Sequence, residues 1–315
     1  SVNSLKITAN SNFYDTESDE FTNGTTTGSD GILKNKQQRA FTTNSDKAVL
    51  FTSVLFKHKF AKPRRTFTLN SSWNMMNTNS NNFLKSSNES YVNGVFDTKN
   101  EIDQNKIGDK TTKNFSASFS YSEPIAKQFS LQFSYQIAFD KGKNNYFTYD
   151  YSANTGQYDQ LVASLSNEFD QAIITHRPNL KLSYNAKKIN YSIGSGFGFT
   201  SFDLLDKTMN KEYKRSYTNF FPSASFSYKY KSNSNLRVNY YGRTIQPTLD
   251  QLQPLRNNQD FFNQTLGNPD LKQSFNNRIE IFQSSYDMLT ETQFYQGIYF
   301  NTTTNAIIYS SIIDP

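Results

Sequence analysis

The chain has 315 residues, with no Cys, one Trp, 28 Phe and 20 Tyr; 35% of it is hydrophobic and 19% charged. With a mean hydropathy of −0.72 and no long apolar run, it cannot span a membrane as a helix, although a strand wall that meets lipid at every second residue remains open. The net charge of +6 is scattered without a basic run, which argues against nucleic acid, and zero Cys removes disulfide frameworks, Cys-based zinc sites and thiol catalysis.

In chain order, period-two patterns recur. Leu5, Ile7, Ala9 and Phe13 share one parity, and a looser pattern runs over 47–60. Phe67, Leu69, Trp73 and Met75 follow, then Phe115, Ala117, Phe119 and Tyr121. The cleanest segment is 129–139, where Phe129, Leu131, Phe133, Tyr135, Ile137 and Phe139 alternate with Ser130, Gln132, Ser134, Gln136 and Ala138. Leu180, Leu182 and Tyr184 come next. In 189–201 the apolar set Ile189, Tyr191, Ile193, Phe197 and Phe199 opposes Asn190, Ser192, Gly194, Gly196, Gly198 and Thr200. Phe220, Ala224, Phe226, Tyr228 and Tyr230 precede Leu236, Val238 and Tyr240, and looser patterns close the series at 274–284 and 293–302. Side chains on a strand alternate faces, so each segment is one apolar face and one polar face, about eleven strands in all.

The connections alternate too. Short, charged ones lie at 62–65, 123–127, 185–188 and 231–235, and long ones rich in Asn, Asp, Ser, Thr and Gly at about 15–44, 77–111, 141–170, 203–217 and 244–272. Interleaved tight turns and long loops are the plan of an antiparallel up-and-down transmembrane barrel with short periplasmic turns. Strands of about 12 residues at ~3.3 Å each, tilted by ~40°, match a hydrocarbon core of about 30 Å. A soluble β-sandwich is the alternative; its strands run to about five or six residues, and its core would favour aliphatics over so much Phe and Tyr.

Residues Arg243-Thr244-Ile245-Gln246-Pro247-Thr248-Leu249-Asp250-Gln251-Leu252-Gln253-Pro254 and Leu266-Gly267-Asn268-Pro269-Asp270-Leu271-Lys272 are distinctive. They resemble the barrel of TonB-dependent receptors, and most of all the outer-membrane β-barrel family of Bacteroidetes-type bacteria. Leu165-Ser166-Asn167 and the turn at Lys187-Lys188 resemble it as well, whereas Gln273-Ser274 stands where the family continues Pro-Glu. The resemblance implies a Gram-negative outer-membrane location and uptake of a small nutrient. It also implies an energy-coupling TonB-type partner acting through a plug. Read physically, the motif is loop architecture: its prolines stop strands and Gly267-Asn268-Pro269 turns the chain. A surface-exposed barrel or adhesin that binds a partner without transport is the other reading.

Catalytic, cofactor and metal constellations are lacking. His58 and His176 have no ligand spacing, and Gly194-x-Gly196-x-Gly198 sits inside a strand, where small residues mark a crowded or bent point. Tyr146, Tyr149 and Tyr151, in an aromatic-rich loop at 146–158, and Arg243 are the candidate ligand contacts; a girdle with loop self-packing is the plainer role for the tyrosines. Gln132, Gln136, Lys181, Arg237 and Arg243 have the parity of a barrel interior. An odd strand count, strand-like sequence at both ends and the close at Ile312-Ile313-Asp314-Pro315 lead to an expectation that 1–315 is one incomplete barrel domain, without its plug and remaining strands. Such a piece should not give a heat-resistant folded band by itself.

Overall fold

In a computed structural model, residues 1–252, 256–257 and 265–310 are described. The strands are β1 (Val2–Thr27), β2 (Leu33–Lys59), β3 (Thr66–Val92), β4 (Val95–Pro124), β5 (Phe129–Ser152), β6 (Gln157–Leu161) and β7 (Asn167–Asn185). They continue as β8 (Ile189–Asp206), β9 (Lys211–Lys231), β10 (Ser234–Ile245), β11 (Arg256–Asn257), β12 (Thr265–Leu266), β13 (Ser274–Asp287) and β14 (Thr292–Thr304). One antiparallel sheet runs in the order β1-β2-β3-β4-β5-β7-β8-β9-β10-β13-β14, with β6 added beside β5 and the pair β11–β12 separate. Each strand of the main path is thus hydrogen-bonded to its neighbours along the chain, as in an up-and-down barrel wall. Among the described residues β1 and β14 do not pair with each other, so the wall is open.

Burial follows the period-two pattern. In β8 the even-numbered residues from Gly194 to Asp206 are buried, whereas Ile193 is 61% and Phe197 47% exposed. In β5 Phe133 is 43% exposed, and Phe129, of the same parity, packs 5.0 Å from Tyr184. The aromatic parity therefore faces outward and the Ser, Gln and Gly parity lines the inner face. Register extends the pattern sideways: Phe67, Tyr121, Phe133 and Leu180 are consecutive cross-strand partners, and so are Trp73, Phe115, Phe139 and Ile174. These rows form the apolar belt of a membrane wall.

The long loops expected from composition are mostly strand. Residues 15–44 and 77–111 continue the ladders of β1–β2 and β3–β4, each with one register shift near its turn, at Thr26/Thr27 and Ser90/Tyr91, and the turns are short. β3 and β4 reach 27 and 30 residues, well past the 12 or so that lipid requires. A backbone ladder satisfies its own N–H and C=O groups whatever the side chains are, so polar sequence can continue a strand beyond the belt. The β3–β4 turn is Asn93-Gly94, with φ of 54° and 79°. Both values are positive, which is the two-residue hairpin turn that matches strand twist. In the stretch at 141–170, β5 runs on to Ser152, β6 folds back, and a short 3₁₀ turn at Ala163–Leu165 leads into β7.

At the opposite rim the turns are tied together. Arg65 donates through Nε and Nη2 to the two Glu123 carboxylate oxygens at 2.7 and 2.8 Å. Lys62 adds a bond at 2.6 Å, and Tyr121 donates its hydroxyl to the same carboxylate at 2.7 Å. Arg64 meanwhile donates to the carbonyls of Ala126 and Lys127. The 60–65 and 124–129 turns are thereby joined side by side.

Candidate functional site

The inner face is where a barrel wall meets solute, and its polar residues converge on two cavities. One, of about 430 Å³, is lined by Ser118, Ser134, Gln136, Arg177, Asn179 and Arg243, among others. The second, of about 270 Å³, includes Lys181, Arg237, Asn190 and Asn239. Among the described residues each has two cations and neither is lined by a carboxylate. Arg177 rests its guanidinium 5.3 Å from the centre of the Phe221 ring, which holds the charge over an aromatic face. The linings of the two cavities are thus cationic, set among Ser, Gln and Asn hydrogen-bonding groups, and suited to an anionic solute.

The glycines of β8 shape this surface. A Cβ on Gly196 would stand 3.0 Å from the Pro178 carbonyl oxygen and 2.9 Å from Asn179 Nδ2, and one on Gly198 would stand 2.4 Å from Phe221 Cε2. The crowded-wall reading of this run therefore holds, and nothing about it cradles a nucleotide.

Above the cavities the distinctive 243–272 motif anchors a loop. Leu252, 1% exposed, ends the short helix α1 (Leu249–Leu252) and packs with Phe169, Phe202 and Leu204 on the inner face. Leu271 joins this cluster from the other end of the motif. Arg215 donates to the Leu271 carbonyl at 2.7 Å and to Asp270 at 2.9 Å, and the Asn268 amide donates to the Gln251 carbonyl at 2.7 Å. Thr248 and Gln251 exchange amide-to-side-chain bonds across the helix. Gln253 and Pro254 of the motif, and the closing 312–315, lie outside the described residues. The Leu165-Ser166-Asn167 stretch is also a fastener: Ser166 Oγ accepts from the Thr148 amide, and Asn167 Nδ2 donates to Asp206.

The four candidate contacts are not brought together. Tyr146 is a β5 residue on the inner parity, where burial pushes its hydroxyl pKa up to about 12. Tyr149 and Tyr151 are on the outer parity of the same strand, and Tyr151 packs 5.4 Å from Tyr158, itself 5.5 Å from Phe83. They stand ten or more residues past Phe139, so they lie well beyond a girdle, and Tyr151 joins the self-packing of the extension. Arg243 alone lines a cavity, beside Arg177. Arg177 is hidden in the sequence because Pro178 breaks the propensity of its segment, although it has the same parity as Lys181 two steps further along. His58 and His176 lie on separate strands; His176 Nδ1 is 2.6 Å from the Tyr135 hydroxyl.

Residues 58–315 match the family model of the outer membrane protein beta-barrel family. Among solved structures, the ferric citrate transporter FecA in its unliganded form aligns over 90% of this chain and 49% of its own, at 9% identity and a TM-score of 0.44. The ferripyoverdine receptor of the outer membrane of Pseudomonas aeruginosa, bound to ferripyoverdine, aligns over 95% and 48%, at 8% and 0.43. The alcaligin outer-membrane receptor FauA from Bordetella pertussis aligns over 94% and 51%, at 10% and 0.42. The chain spans about half the length of these proteins. No curated protein matches.

Proposed function

The chain belongs to the outer membrane protein beta-barrel family, and on that premise we propose that it forms part of the wall of a TonB-dependent transport barrel that imports an anionic nutrient. Its place is the outer membrane. The observation that carries the reading is the inner face: paired cations Arg177 with Arg243, and Lys181 with Arg237, in two cavities lined by no carboxylate among the described residues. The wall works by binding and passage and not by catalysis. A closed barrel requires a strand partner for β1 and for β14, because an unpaired strand edge in lipid leaves backbone groups unsatisfied. On this reading energy coupling enters through a plug and a TonB-type partner, and the source is a Bacteroidetes-type bacterium; both are what the resemblance of the 243–272 motif implies.

The test is uptake of labelled iron chelates by cells with and without the gene, in the presence and absence of a protonophore. Loss of energy-dependent uptake of an anionic chelate on deletion supports the reading, as does slower uptake in the Arg177→Gln, Arg243→Gln double variant. Unchanged, protonophore-insensitive uptake would refute it. The tall β1–β4 extension favours a second reading, a surface barrel that binds an extracellular partner without transport. That reading expects surface binding with no uptake.

A further inference from the structure

The outer face has a sharp boundary on β3, β4, β5 and β7. Trp73, Phe115, Phe139 and Ile174 form the last fully apolar row, and all four are exposed. One step further from the short turns, the same register reads Met75, Lys113, Lys141 and Ala172; the step after that reads Asn77, Thr111, Lys143 and Asp170. Lys113, Lys141 and Lys143 are therefore neighbours on one face, all exposed and all on the outer parity. Lys113 and Lys141 are direct cross-strand partners, a like-charge pairing that costs stability unless an anion sits between them. The nearest carboxylate in this register, Asp170, is ion-paired with Lys207 at 2.7 Å.

Short turns of an outer-membrane barrel face the periplasm, so the extension side of the belt is the outer leaflet. The trio thus stands at headgroup depth, with an apolar row beneath it to hold acyl chains. We propose that Lys113, Lys141 and Lys143 form a binding site for the phosphate groups of the anionic glycolipid of the outer leaflet. The ammonium groups form charge-assisted hydrogen bonds with phosphate oxygens while the lysine stems lie along the apolar surface. The anion relieves the Lys113–Lys141 repulsion, and Trp73, Phe115 and Phe139 carry the lipid tail. This site is outside the wall and independent of what passes within.

The test uses the full-length protein in phosphatidylcholine vesicles, titrated with phosphorylated lipid A and with the same lipid stripped of its phosphates. The wild type should retain the phosphorylated lipid and release the stripped one. The Lys113→Gln, Lys141→Gln, Lys143→Gln variant should bind on the order of 100-fold more weakly, since each cation near an anionic surface contributes roughly a factor of five. A control variant, Lys34→Gln, Lys36→Gln, Lys99→Gln, removes three exposed lysines of the extension and should bind as the wild type does. Melting of all variants is measured in plain vesicles, so that misfolding is seen separately. Equal retention of both lipids, an equal loss in the control variant, full competition by inorganic phosphate alone, or an unchanged affinity in the folded triple variant would each overturn the proposal.

Discussion

The belt and the extension of β3–β5 share one hydrogen-bonded ladder and differ in everything that side chains supply. In the belt, Phe133 and Phe139 face outward against Ser134 and Gln136 within; in the extension the outer face reads Lys141, Lys143 and Asn145, and the inner face includes the buried Asn144 and Thr148. Strand continuity is thus a backbone property, and membrane depth is a side-chain property. Polar composition alone does not separate the two, since a polar strand and a loop share it. A second difference is in how the regions are stabilised: lipid covers the belt, whereas the extension must bury its own polar groups. Lys106, 2% exposed within β4, is the sharpest case, with its ammonium pKa lowered to about 8 by burial and raised in part by the Asp150 charge.

Four experiments would break or sharpen this comparison. The largest effect is expected in the belt: Phe133→Arg should cost ~2–4 kcal/mol in a lipid refolding equilibrium, whereas Gln132→Arg, on the inner parity, should cost little. Comparable losses at both positions would contradict the face assignment. Next, Leu252→Ala should cost about 2–3 kcal/mol by emptying its place in the Phe169–Phe202–Leu204 cluster. Hydrogen exchange should report the loss at α1 and the neighbouring strand ends, and not in the belt.

The third concerns pH. Lys106 titrates near 8 when folded and near 10.4 when unfolded, so between those values the unfolded chain binds more protons and stability rises with pH. The extension should gain on the order of 1–2 kcal/mol of local opening energy from pH 8 to 10. Above pH 10 the trend should reverse, because Tyr146 and Tyr158 hold their protons to about 12 when folded. Lys106→Met should flatten the rise, and belt amides should show none of it. The smallest effect is at the turn: Gly94→Ala, at φ of 79°, should cost about 1–2 kcal/mol and fray only the tip of β3–β4.

Much of the wall was legible in the sequence because period two is a direct imprint of a face against lipid. Ile193 and Phe197 announced their side of β8, and Gly194, Gly196 and Gly198 the other. The extension was less legible for a physical reason: polar residues fill most of both its faces, so alternation of hydrophobicity fades while alternation of direction persists. Asn93-Gly94 is the available signal, a two-residue hairpin turn in the middle of a long polar stretch. The functional residues divide the same way. Arg243 was read from parity and does line a cavity, but the tyrosines of β5 were grouped by sequence proximity, and a strand separates neighbours to opposite faces.

The knot of charge around Glu123 has one more consequence. Parity forbids a one-residue slip of β4 on β3, since that would turn every ring inward, yet a two-residue slip would keep each face intact. Such a slip would carry Glu123 about 7 Å from Arg65 and part the two bonds between them. The rim therefore acts as a catch that selects among alignments the oily and watery faces cannot tell apart, and so sets the height at which each hairpin stands.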